Sequence, residues 1–219
     1  ATNDKTIYLW QLDNTDTFLK IFPGHSGGIY SVSFSPDGQM IASASSDRTV
    51  KLWSLNGKEI KTFSEHRALV SVVSFSPDGQ IIASGSWDKT VKLWKLDGTL
   101  LTTLKGHKDR VTGLSFSPDG QMLASASHDN TVKLWKLDGT LITTLWGHKD
   151  IVNEVSFTPD SQIVSASSDN TVRLWNLELD ELMELGCDWA HDFFKNNPTV
   201  SESYKHLCDG IGSSETTSQ

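Results

Sequence analysis

The stretch SPDGQMLASASHDNTVKLW, at residues 117–135, decides the fold because closely related sequences recur along the chain. SPDGQMIASASSDRTVKLW stands at residues 35–53 and SPDGQIIASGSWDKTVKLW at residues 76–94, and these three copies follow one another at a period of 41 residues. A copy that is one residue shorter, TPDSQIVSASSDNTVRLW, stands at residues 158–175. A fixed period of this length indicates a repeat protein, in which each unit buries its apolar face against its neighbours.

Each repeat predicts four short antiparallel strands. Residues 117–120, Ser-Pro-Asp-Gly, form a tight reversal, since Pro presets φ and Gly tolerates a positive φ. The turn at Asp129-Asn130 and the turn at Asp138-Gly139 separate the next strands. In the third strand, Val132 and Leu134 alternate with Lys133 and Trp135, so the two pairs lie on opposite sides. Helical periodicity is absent from residues 1–176, and an all-β fold follows.

Five features at these offsets resemble the Trp-Asp (WD) repeat family of β-propellers: Gly106-His107, the Ser-Pro-Asp-Gly turn, Ser125, Asp129 and Trp135. The resemblance covers residues 1–177. One departure is that the tryptophan of the third strand is never followed by Asp; this holds for Trp10, Trp53, Trp94, Trp135 and Trp175. The resemblance implies a WD-repeat β-propeller of four-stranded antiparallel blades.

Aligned on this pattern, the chain divides into about five units and a tail. The expected parts are a partial first blade with strands three and four (1–23), three complete blades (24–64, 65–105 and 106–146), a last blade (147–177), a helical C-terminal tail (178–209) and a disordered end (210–219). Because seven blades are common in the family, we expect the C-terminal part of a longer protein. The alternatives are closure by self-association, or a five-bladed ring in which the first strands pair with the last three.

The tail differs from the repeats in composition and pattern. Leu179, Leu182 and Met183 follow helical spacing, which predicts a short α-helix that caps the last blade or docks a partner. Cys187 and Cys208 are the chain's two cysteines; free thiols are expected, with a Cys187–Cys208 bridge as the alternative. The tail is similar to the ends of long cyanobacterial WD-repeat proteins, some of which carry a nucleotide-binding signalling ATPase upstream.

Each repeat also contains the residue types of a hydrolase triad, but four equal copies indicate architecture and not catalysis, since an enzyme needs one activated nucleophile. We therefore predict no catalytic residue. In related propellers the His, Ser, Asp and Trp of a repeat form a hydrogen-bonded chain. The resemblance implies the following structural tetrads: His25, Ser43, Asp47 and Trp53; His66, Ser84, Asp88 and Trp94; His107, Ser125, Asp129 and Trp135; His148, Ser165, Asp169 and Trp175.

The positions that vary between repeats predict where a partner binds. In WD-repeat propellers these positions face the top of the blades, and Trp, Tyr and Arg are common in interface hot spots. The predicted partner-binding face consists of Trp87, Leu69, Arg110, His128, Tyr30, Ile151 and Asn153. Trp87, Leu69 and Arg110 come from adjacent blades and are expected to form one patch.

Charge and composition narrow the function classes. The net charge is −8, of which residues 177–219 supply most, with 9 acidic and 2 basic side chains. No basic stripe suits nucleic acid and no apolar run suits a membrane span, so neither is an expected partner. No phosphate-binding glycine loop and no metal-ligand spacing occur, so no cofactor or metal is expected. The sequence favours a cytoplasmic, non-catalytic protein-interaction scaffold. The alternatives are the sensor end of a bacterial signalling ATPase, and a propeller enzyme.

Overall fold

A computed structural model describes residues 5–10 and 18–176, and in these ranges the chain consists of β-strands joined by turns. The predicted helical tail (178–209), the predicted disordered end (210–219) and both cysteines lie outside the described residues. In the described part, the all-β prediction is confirmed.

The strands form five antiparallel sheets, one for each expected blade. Blade 1 has two strands, β1 (Thr6–Trp10) and β2 (Phe18–Pro23). Blade 2 has β3 (Ile29–Phe34), β4 (Met40–Ser45), β5 (Val50–Ser54) and β6 (Glu59–Phe63). Blade 3 has β7 (Val70–Phe75), β8 (Ile81–Ser86), β9 (Thr90–Lys95) and β10 (Leu100–Lys105). Blade 4 has β11 (Val111–Phe116), β12 (Met122–Ser127), β13 (Val132–Lys136) and β14 (Leu141–Leu145). The described strands of blade 5 are β15 (Val152–Phe157), β16 (Ile163–Ser167) and β17 (Val172–Trp175).

Strand order explains how the residues of one repeat meet. In blade 4 the order is β11-β12-β13-β14, so each strand pairs with its neighbour in sequence. Blades 1 and 5 form separate sheets among the described residues. In blade 1, β1 and β2 pair with each other in a hairpin register, from Thr6 opposite Pro23 onward. Closure of the blades into a ring, by either of the expected routes, stays a prediction.

The Ser-Pro-Asp-Gly reversal is held by its own side chains. Asp119 accepts hydrogen bonds from the Ser117 hydroxyl at 2.5 Å and from the Gln121 amide at 3.0 Å. The Ser117 hydroxyl oxygen accepts from the Met122 amide at 2.9 Å. Gly120 has a φ of +70°, which L side chains rarely adopt. The turn therefore fixes where β12 begins after β11.

The core lies between neighbouring blades, so a third strand with a complete blade on either side, such as β13, is buried on both sides. Val132, Lys133, Leu134 and Trp135 of β13 are all less than 9% exposed. One cluster joins Val91, Leu93 and Leu104 of blade 3 to residues of blade 4, including Leu114, Leu123 and Trp135. The first strand of each complete blade packs against the first strand of the next, β3 on β7, β7 on β11 and β11 on β15. Stacking of neighbours thus buries what a single blade cannot.

Apolar side chains at the two ends of this series are exposed where their equivalents are buried. Val172 and Leu174 of β17 are 71% and 62% exposed, whereas Val132 and Leu134 of blade 4 are 0% and 3% exposed. At the other end, Phe34 of blade 2 is 53% exposed, whereas Phe75 of blade 3 is 7% exposed.

Candidate protein-interaction face

The predicted tetrad of blade 4 is a continuous chain of hydrogen bonds. The Trp135 indole N–H donates to the Ser125 hydroxyl oxygen at 2.8 Å, and His107 Nε2 lies 2.7 Å from the same oxygen. His107 Nδ1 lies 2.9 Å from an oxygen of Asp129. Since an ionised carboxylate only accepts, Nδ1–H donates to Asp129, and the Ser125 hydroxyl donates to the unprotonated Nε2. For a neutral imidazole, this arrangement corresponds to the tautomer that carries its hydrogen on Nδ1.

The other repeats reproduce this arrangement. In blade 2, Ser43 meets the Trp53 indole N–H at 2.8 Å and His25 at 2.7 Å, and His25 meets Asp47 at 2.8 Å. In blade 3, the corresponding distances are 2.8 Å from Ser84 to Trp94, 2.8 Å from Ser84 to His66 and 2.8 Å from His66 to Asp88. In blade 5, His148 lies 2.8 Å from Ser165 and 2.9 Å from Asp169, and Trp175 ends β17. The serines are at most 1% exposed, so no substrate reaches their hydroxyls.

The tetrad carboxylates stay ionised because hydrogen bonds outweigh their burial. Burial works against ionisation of Asp47, but hydrogen bonds from Thr49, His25 and the Ser26 amide hold its pKa at about 2. The pKa values of Asp88 and Asp129 are likewise below the ordinary range: burial opposes the shift, and hydrogen bonds from their His and Thr partners prevail. Burial lowers the pKa of His25, against the opposing effect of Asp47. This keeps the imidazole neutral, as the tautomer requires.

Each tetrad also holds the two loops that carry the variable residues. Asp129 accepts hydrogen bonds from the amides of Lys108, at the loop before β11, and Thr131, at the turn before β13. In the same turn, the His128 amide donates to the Arg110 carbonyl at 2.9 Å. In blade 3 the Trp87 amide makes the equivalent bond to the Leu69 carbonyl, also at 2.9 Å. Every tetrad therefore presents a pair of variable residues from a fixed backbone.

Three variable residues from three consecutive blades meet in one stack. The Arg110 guanidinium of blade 4 lies over the Trp87 ring of blade 3, with 3.8 Å between its central carbon and the ring centroid. Tyr30 of blade 2 contacts Trp87 edge to face, with centroids 6.5 Å apart. Trp87 is half-buried and Tyr30 is 48% exposed. We call Tyr30, Trp87 and Arg110 the Trp87 stack.

The remaining predicted face residues lie around the same loops. Leu69 and His128 are half-buried and are joined by backbone hydrogen bonds to Trp87 and Arg110, respectively. In blade 5, the Ile151 carbonyl accepts from the Ser168 amide, and the Asn153 side-chain amide donates to the Ser168 hydroxyl at 2.9 Å. Sequence reasoning grouped Trp87 with Leu69 and Arg110 but did not pair Trp87 with Tyr30. The aromatic identity of both residues was the available signal.

The hydrogen-bond donors of the Arg110 guanidinium are not used within the described part of the chain. Within the described ranges, its guanidinium makes no hydrogen bond or ion pair. A guanidinium carries five N–H donors, and its stacking on Trp87 fixes the direction in which they point. In the same part of the chain, no three His, Cys, Asp or Glu side chains are grouped as metal ligands would be. Nor do the described residues contain a helix long and apolar enough to span a membrane.

The sequence matches the family profile of the WD domain, G-beta repeat, at residues 16–54, 57–95, 98–136 and 139–176. The chain belongs to the WD-repeat family. Each matched WD repeat begins at the fourth strand of one blade and ends at the third strand of the next; the first, for example, runs from β2 to β5. The WD repeat and the blade are thus offset by one strand, so each matched repeat contains strands of two neighbouring blades.

Characterised proteins with similar WD repeats come from several eukaryotes. Over 56 residues the chain is 41% identical to the transcriptional corepressor LEUNIG_HOMOLOG of Arabidopsis thaliana, which covers 26% of this chain and 7% of that protein. It is 36% identical over 56 residues to the human WD repeat and SOCS box-containing protein 1, covering 26% and 13%. It is 41% identical over 64 residues to ribosome assembly protein 4 of Saccharomyces cerevisiae, covering 29% and 12%. The matches thus span about a tenth of these relatives.

Proposed function

We propose that this chain is a non-catalytic protein-interaction scaffold, and that its partner binds across the Trp87 stack. The observation that carries the proposal is the stack itself: an Arg guanidinium over the ring of a half-buried Trp, with an exposed Tyr in edge-to-face contact with the same Trp. Trp, Tyr and Arg are the residue types that contribute most to protein interfaces. Three blades supply them, so the surface is preorganised by the packing between blades.

The tetrads support a binding role over catalysis. Their serines are buried, their geometry is nearly the same in blades 2, 3 and 4, and each serine hydroxyl is already bonded to an indole and an imidazole. A nucleophile needs access to its substrate and a base that is free to take its proton. The relatives named as a corepressor, a SOCS box-containing protein and a ribosome assembly protein are in keeping with this role.

Replacing the centre of the stack tests the proposal. We expect Trp87→Ser to weaken binding of identified partner proteins by at least about 2 kcal/mol, roughly 30-fold, because it removes the ring that orients Arg110. The melting temperature should change little, since the lost ring contacts contribute about 1 kcal/mol. Partners are identified by quantitative pull-down and mass spectrometry, and their affinities are then measured with purified protein.

The matched control is Trp146→Ser, because Trp146 is 67% exposed but has no place in the stack. Partners retained by the wild type and by Trp146→Ser but lost with Trp87→Ser support the proposal. Loss of stability in Trp87→Ser, with full affinity per folded molecule, would show that Trp87 serves packing alone.

Two further expectations stay predictions. A cytoplasmic location is tested by fractionation of the source cells. The signalling-ATPase alternative is tested by the gene sequence upstream of this chain, which should then encode a P-loop.

A further inference from the structure

A lysine occupies the same place in the third strands of blades 2, 3 and 4, and it is half-buried in blade 2 and buried in blades 3 and 4. In blade 2, the Lys51 ammonium donates to the Glu59 carboxylate at 2.7 Å and to the Thr62 hydroxyl at 2.8 Å. The ammonium is therefore neutralised by a side chain of its own blade. Burial of a charge is costly unless such a partner is present.

Blade 3 keeps the lysine but lacks the carboxylate. Lys92 is 8% exposed and donates to the Thr103 hydroxyl at 3.0 Å, the equivalent of Thr62. The residue corresponding to Glu59 is Leu100. Among the described residues, no carboxylate oxygen lies within 4.0 Å of the Lys92 ammonium, and its other contact is a cation–π approach of 5.9 Å to Trp94. Two of its three N–H donors thus lack a hydrogen-bonding partner.

A cavity lies beside this lysine. Its volume is about 300 Å³, and it is lined by Lys92, Arg67, Lys105, Thr90, Thr103, Glu65 and Asp88. The space is large enough for an ion the size of phosphate together with water. The Thr103 hydroxyl offers a donor in addition to the three cationic side chains, whereas the Thr90 hydroxyl already donates to Asp88 at 2.6 Å.

The charges in the cavity favour an anion. Asp88 is already engaged, since it accepts from His66 at 2.8 Å and from the Arg67 amide at 2.9 Å. Glu65 is exposed and forms no ion pair with the described residues. The cavity is therefore lined by three cationic side chains, by one carboxylate that is already hydrogen-bonded and by one that is exposed to solvent.

Blade 4 has Gly106 and Trp146 in the places of Glu65 and Lys105, so it lacks the third cation.

We propose that the blade 3 cavity binds a small oxyanion, with one oxygen beside Lys92 in the place that the Glu59 carboxylate takes beside Lys51. Carboxylate and phosphate oxygens share this chemistry, and blade 2 shows a carboxylate bound to the equivalent lysine. The site is independent of the Trp87 stack, because it uses different residues of blade 3. A free anion or an acidic side chain of a bound polypeptide supplies the same group.

Titration of the intact protein with inorganic phosphate at constant ionic strength tests the site. We expect saturable NMR shifts of the Thr90 and Thr103 amides and no saturable shift of their blade 4 equivalents, Thr131 and Thr144. Lys92→Met should weaken the binding at least about tenfold, because it removes a charged hydrogen-bond donor. A parallel titration with tetraglutamate peptide distinguishes the sources: binding of the peptide with the same dependence on Lys92 assigns the site to polypeptide acids, and phosphate binding alone assigns it to free anions.

Two variants keep the test decisive if Lys92→Met unfolds. Leu100→Glu rebuilds the blade 2 pair inside blade 3 and should abolish phosphate binding, while the same change in blade 4, Leu141→Glu, should leave it intact. The proposal is overturned if shifts are linear or equal in both blades, or if Leu100→Glu still binds. It is also overturned if phosphate binds only after Glu65→Gly, since Glu65 would then be the internal partner of Lys92.

Discussion

At the scale of single residues, the buried serine hydroxyl is the centre of each tetrad. The Ser125 oxygen accepts from an indole and its hydrogen is donated to an imidazole, so both neighbours depend on it and on each other. Such a network is stable when it is complete and costly when one member is removed. The tetrad therefore contributes to stability as a unit.

We expect His107→Ala to lower the free energy of unfolding by about 1–3 kcal/mol, because Ser125 and Asp129 lose their shared partner inside the blade. Urea unfolding followed by circular dichroism measures the change. His128→Ala is the control, since His128 lies in the same blade but belongs to no tetrad, and it should unfold almost as the wild type does. Equal stability of His107→Ala and the wild type would show that His107 does not hold the blade together.

At the scale of strands, blades 3 and 4 differ in which of two paired residues, one on the first strand and one on the second, is glycine. In blade 3, Val72 of β7 pairs with Gly85 of β8, whereas in blade 4 Gly113 of β11 pairs with Ala126 of β12. A methyl group on Gly85 would come within 2.6 Å of Val111 and 2.7 Å of Val72. One on Gly113 would come within 3.0 Å of the Val155 backbone nitrogen in the next blade. A methyl group on Gly85 would therefore displace Val72 or Val111, and one on Gly113 would displace the first strand of blade 5.

We expect Gly85→Ala to destabilise the protein by about 1–3 kcal/mol, because it overpacks a full core, although Ala occupies the equivalent positions of the other blades. Adding Val72→Ser recreates the Ser31–Ala44 pair of blade 2 and should recover part of the loss. A double-mutant cycle measured by chemical unfolding gives the coupling energy. Strict additivity of the two changes would contradict the packing described above.

The strands and the tetrads could be predicted from the sequence because the same turn and tetrad residues recur at the same positions in several repeats. The turn residues at 117–120 and 138–139 mark where strands end, and the recurrence of His107, Ser125 and Asp129 identifies them as a set. The pairing of Tyr30 with Trp87 could not be predicted, since it depends on how far neighbouring blades lie apart. The cavity beside Lys92 was also missed. Alternation in β9 separates the two sides of a strand but does not show that both are buried.

At the scale of the whole molecule, the exposed apolar side chains at both ends of the blade series bear on whether the protein self-associates. Val172 and Leu174 at one end, and Val32 and Phe34 at the other, occupy positions that the interior blades bury against a neighbour. Exposed apolar surface of this kind, next to an open sheet, favours association with another sheet. The sequence-based expectation of self-association stays a prediction, and these four residues are its most direct test.

We expect the protein to self-associate with rising concentration, and Leu174→Lys to shift the equilibrium toward monomer, because a charge would be buried in the contact. Sedimentation velocity over a range of concentrations measures the shift. The melting temperature of the dilute variant should be unchanged, since Leu174 is 62% exposed. Trp146→Lys, another exposed apolar residue, should associate as the wild type does. A wild type that is monomeric at every concentration would contradict the prediction.

The unequal small-residue pairs also bear on how the chain finds its fold. Consecutive repeats of nearly the same sequence are prone to exchange strands with one another while they fold. If β7 paired with β12 in place of β8, Val72 would stand opposite Ala126, whereas its partner in β8 is Gly85. If β11 paired with β8, Gly113 would stand opposite Gly85 and leave a void. We expect this difference between the pairs to disfavour the exchange of strands between blades 3 and 4 during folding.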